Sequence, residues 1–130
     1  MLTSIPLFAF IVITYNILIF SFPTVLGNSI FLIHLPSGAD WFFSVSDLIL
    51  TVSLIFLYFE IFRSTHTDTG SILNHSLSMV VFVVCLIEFI VFKPLANSTF
   101  FLIMLMTLID VIAGFTVTIS AARRDVDYHR

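Results

Sequence analysis

At 130 residues, 59% hydrophobic and only 10% charged, the chain lies far from a soluble globular domain, which carries about 25% charged residues. Its mean hydropathy of +1.15 points to lipid as the solvent for most of its surface. A thinly scattered net charge of −3 argues against nucleic acid as a partner, and a lone Cys85 excludes both an intrachain disulfide and a cysteine-rich zinc site.

The first apolar run, about 4–22, carries no charge and is long enough to cross a bilayer. It lacks a basic leader and a small-residue cleavage pattern, so it reads as a retained helix rather than a signal peptide. Pro6 falls in its first turn, where a missing N–H does no harm, and Pro23 and Gly27 interrupt it. Residues 24–35 are apolar but too few to cross, and read as a short helix lying at the interface rather than the tail of a kinked first helix. Pro36-Ser37-Gly38 is a strong break.

A second span is expected over about 40–63, opening on the aromatic group Trp41, Phe42 and Phe43 that suits a membrane–water boundary. Near its other end Glu60 and Arg63 stand one turn apart, an interfacial ion pair at helical spacing. A polar loop with His66 and Asp68 follows, and Ser71 is placed to cap a third span over about 72–92, which Lys93-Pro94 closes. Asn97 or Ser98 caps the fourth, about 98–121, before the charged tail of residues 123–130.

The fold class that follows is all-α: one integral membrane domain, a four-helix bundle over residues 1–130. Arg63, Arg123, Arg124 and Arg130 fall on one side of such a bundle and Lys93 alone on the other, which favours both termini in the cytoplasm. The expected location is an inner membrane of bacterial type.

Polar residues inside the spans are the candidates for function, because an ionisable group at that depth is costly unless it faces protein or water. Asp110 lies about 18 Å from either end of the fourth span, at the bilayer midplane. It shares a stripe with Thr107, Gly114 and Ala121, whose small side chains suit helix packing. Asn16 lies at a similar depth in the first span, so an Asn16–Asp110 pair is expected. Asp47 and Glu88 fall near one another in depth on the opposite side, with His34 and Lys93 approaching, and together they would form a proton or cation site. The simpler reading ties Asp47 to Ser44 and Thr51, and Glu88 to Lys93. His75 and His66 read as a solvated surface pair, which gives no metal site and no haem ligation.

Phosphate loops, nucleophile elbows and zinc-protease signatures are missing, so no enzyme activity and no cofactor are expected. The leading expectation is a non-enzymatic accessory or structural subunit, with the lipid bilayer and other membrane subunits, or further copies of itself, as partners. The alternative is a homo-oligomeric small transporter or channel using Asp47, Glu88 and Asp110. A weaker one is a quinone- or haem-carrying membrane anchor.

Overall fold

A computed structural model describes residues 5–63 and 69–128, with side chains in its last two helices described at 73–116, 119 and 123. Four helices account for most of it: α1 (Leu7–Ser21), α2 (Val45–Arg63), α3 (Thr69–Val91) and α4 (Ser98–Tyr128). Single 3-10 turns, Val25–Gly27 and Lys93–Leu95, sit after α1 and α3. Between α1 and α2 the chain forms an antiparallel hairpin of β1 (Ser29–His34) and β2 (Asp40–Ser44). The protein is thus mostly helical rather than all-α, and the interfacial helix expected over 24–35 is replaced by a 3-10 turn and a strand.

The physical reason lies in the flanks of that run. Six residues rich in Ile and Phe, bounded by Asn28 and by Pro36-Ser37-Gly38, are too few for a stable helix but enough for a strand. The break itself is a tight turn. Leu35 and Ala39 close it (N···O 2.8 Å), and Gly38 takes the positive φ of 90° that a side chain would resist. Asp40 to Ser44, expected as the first turn of a span, pairs back on β1 instead. α2 begins only at Val45, and Ser44 and Asp47 cap it reciprocally: Ser44 N–H donates to Asp47 Oδ2 at 3.0 Å, and Asp47 N–H to Ser44 Oγ at 3.3 Å.

Other boundaries shift for similar reasons. α3 starts at Thr69, so Ser71 lies inside the first turn rather than before it. Asn97 caps α4, its Oδ1 accepting Phe100 N–H at 2.8 Å. α4 runs on through the charged residues to Tyr128, seven residues beyond the expected end at 121. α2, α3 and α4 are each long and apolar enough to cross a membrane. α1, with 15 residues between Pro6 and Pro23, is shorter, about 22 Å against a hydrocarbon core of about 30 Å. It still reaches both ends of the bundle: Arg63 donates to Ile5 O at one, and Phe20 packs on Phe92 at the other, with ring centroids 5.9 Å apart.

α4 is the central element, packed against α2 and α3, while α1 lies across the same two helices. The interior is filled by Phe8, Tyr15, Cys85, Leu95, Phe100 and Ile103, all but inaccessible. By contrast α2 and α3 leave a belt of Leu, Ile, Val and Phe exposed, as helices solvated by lipid do. Arg63 and Arg123 lie at the end of the bundle where α1 begins, and Lys93 at the other.

Candidate functional site

The buried polar groups concentrate at the end where α1 and α3 begin. Glu60, expected at an interface, is 1% exposed and ties α2 to the start of α1. Its Oε1 accepts from Arg63 Nη1 at 3.1 Å and from the Leu7 backbone N–H. A helix start has unpaired N–H groups and a partial positive charge, so a carboxylate placed there serves as the cap that Pro6 cannot supply.

Asp110 faces this pair from α4. It is 4% exposed, within hydrogen-bond reach of the Ser78 hydroxyl, and close enough for the charges of Glu60 and Arg63 to bear on it. Ser78 in turn donates to Asn74 O at 3.0 Å. A hydroxyl has one hydrogen, so Ser78 donates either to Asn74 O or to the Asp110 carboxylate, which compete for it. Two carboxylates and one guanidinium thus meet in the interior of the bundle. Asn74 Oδ1 and His75 Nε2, one turn away along α3, are buried and have no hydrogen-bond partner among the described residues.

Thr107 and Gly114 lie on the same face of α4, as expected, and both are buried. Thr107 donates to Met104 O at 2.6 Å. Gly114 is a seat for the His75 ring: a Cβ there would fall within 2.5 Å of Cε1 and nearer still to Nδ1. Phe115 meets the same ring edge-on, with centroids 4.2 Å apart. His75 is therefore a packing residue, not half of a solvated pair; His66 lies outside the described residues, as does the side chain of Ala121.

The expected Asn16–Asp110 pair is not formed. Asn16 lies about 8 Å from the end of α1 at Ser21, whereas Asp110 lies about 18 Å from the α4 start at the same end of the bundle. Asn16 stands only five residues before the end of α1, which puts it above the site rather than in it. Asn16 donates to Val12 O at 2.8 Å and lies within hydrogen-bond reach of Glu88. Asp47 serves the α2 cap and accepts Thr51 at its backbone carbonyl, and His34 pairs with Asp40 at the hairpin tip. Asp47, Glu88 and His34 thus each have a separate partner, local for Asp47 and His34 and across to α1 for Glu88.

Two further contacts were not anticipated from the sequence: Tyr15 Oη donating to Asn97 Oδ1 at 3.0 Å, and Ser53, wholly buried, donating to Ile49 O at 2.7 Å. Only the Asn97 cap position hinted at the first. Among the described residues no cluster of three His, Cys, Asp or Glu is arranged to hold a metal. Comparison with protein families, with characterised proteins and with solved structures finds no match to this chain.

Proposed function

We propose that the chain is a small multi-span protein of an inner membrane, with both termini cytoplasmic, acting as a non-enzymatic structural subunit of a membrane assembly. The observation that carries this reading is the use made of Glu60: its carboxylate is spent on the start of α1 and on Arg63. Asp47 and Glu88 likewise have separate partners, so the acids are deployed to hold helices in register rather than to line a continuous path. The exposed apolar flanks of α2 and α3 then face lipid or neighbouring subunits. Purification in mild detergent tests it. A larger membrane partner should co-purify in fixed ratio, and a homogeneous self-oligomer with no partner would overturn the reading.

A second reading, a small transporter or channel, is favoured by Asp110 with Glu60 around a single arginine and by the unpartnered Asn74 Oδ1 beside them. On that reading Asp110→Asn stops proton or cation flux into proteoliposomes, while Asp47→Asn, at a helix cap, leaves it intact. Wild-type protein that carries no flux would dispose of it.

A further inference from the structure

The hairpin is apolar on both of its faces, and no other described residue covers either. Directly paired residues share a face, so Phe31, Phe43, Ile33 and Trp41 form one and Leu32 and Phe42 the other. Phe31 stacks on Phe43 at 4.8 Å, with the Trp41 ring edge-on to both. Phe42 is 60% exposed, and Ile30, Leu32, Ile33 and Trp41 each exceed 40%. A hairpin solvated by water on one side alternates apolar with polar residues, and this one does not. Its polar groups stand at the ends instead: the His34–Asp40 pair and Ser37 at the tip, Asn28, Ser29 and Ser44 at the base.

The base is tied to the first turn of α2. Val45 N–H donates to Asn28 O at 3.0 Å, and Ser46 Oγ to Leu26 O at 3.0 Å. α2 has 19 residues, about 28 Å of helix, which matches one hydrocarbon thickness. The ribbon therefore leaves the bundle at the boundary where hydrocarbon gives way to headgroups. Depth is bounded from the other side too. A two-stranded ribbon has open edges whose N–H and C=O groups cannot be left in hydrocarbon, yet headgroups and their water can satisfy them. Aromatic side chains are favoured in that same layer.

We propose that the hairpin lies in the phospholipid interface of the non-cytoplasmic leaflet, anchoring the bundle laterally. This inference rests on the membrane reading above. Trp41 is the sole tryptophan, so native fluorescence reports on the hairpin without a label. In phosphatidylcholine vesicles, lipid brominated near the headgroup end of its acyl chains should cause a loss of Trp41 emission larger than lipid brominated near the methyl end, with iodide quenching weakly. Strong iodide quenching without loss to brominated lipid would overturn the proposal by placing the hairpin in water. Protection from both quenchers would overturn it too, in favour of a protein cover such as a second copy pairing along β1. Protein that fails to float with the vesicles would instead bring down the membrane reading itself.

Discussion

Glu60 illustrates how one buried side chain can do several structural tasks at a helix start. In water the first amide of α1 would be hydrated; here a carboxylate from α2 takes it, and Arg63 balances the charge. The i,i+3 spacing of that ion pair was readable from the sequence. Its burial was not, because depth in a bundle depends on where α1 begins, and the chain shows no cap at that point. Gly114 shows the converse case. Its place on the Asp110 stripe was readable, but not the identity of what sits on it. Replacing a helical glycine by alanine is ordinarily favourable by up to about 1 kcal/mol. At residue 114 the new methyl meets the His75 ring, so Gly114→Ala should destabilise by about 1–3 kcal/mol. In a His75→Ala background the same change should be neutral or stabilising. Thermal unfolding in detergent across this double-mutant cycle checks the contact, and equal costs in both backgrounds would show that the ring and the glycine are independent.

At the scale of elements, the long helices were legible because hydrophobic length alone marks them, while the hairpin was not. An apolar run of six residues looks the same as helix or strand, and the partner strand was hidden inside a stretch that continues into α2. The signal that separates them is Ser44 with Asp47 three residues on, a capping box that marks where the helix starts. Ser44→Ala should therefore cost about 1 kcal/mol in thermal unfolding, with Ser44→Asp retaining most of the stability. A Ser44→Ala protein as stable as the wild type would mean that the β2–α2 junction is fixed by the hairpin pairing alone. Likewise α4 outruns its apolar stretch, because charged residues end the hydrophobic pattern without ending the helix.

For the whole molecule, the arrangement of ends yields a direct test of topology. Cys85 is wholly buried, so a cysteine introduced at an exposed position reports alone. In sealed vesicles an impermeant maleimide should label Lys93→Cys from one side only and Arg123→Cys from the other only. Labelling of both from the same side would break the proposed orientation. The packing also sets an order of assembly during synthesis. α2 and α3 have little direct contact and are joined by α1 and, more extensively, by α4, which follows them in the chain. Until it arrives, Ser78, Asn74 and the Glu60–Arg63 pair lack the helix that shelters them. A nascent chain stopped short of α4 should thus be a substrate for membrane quality control, whereas one that keeps α4 through residue 122 should not.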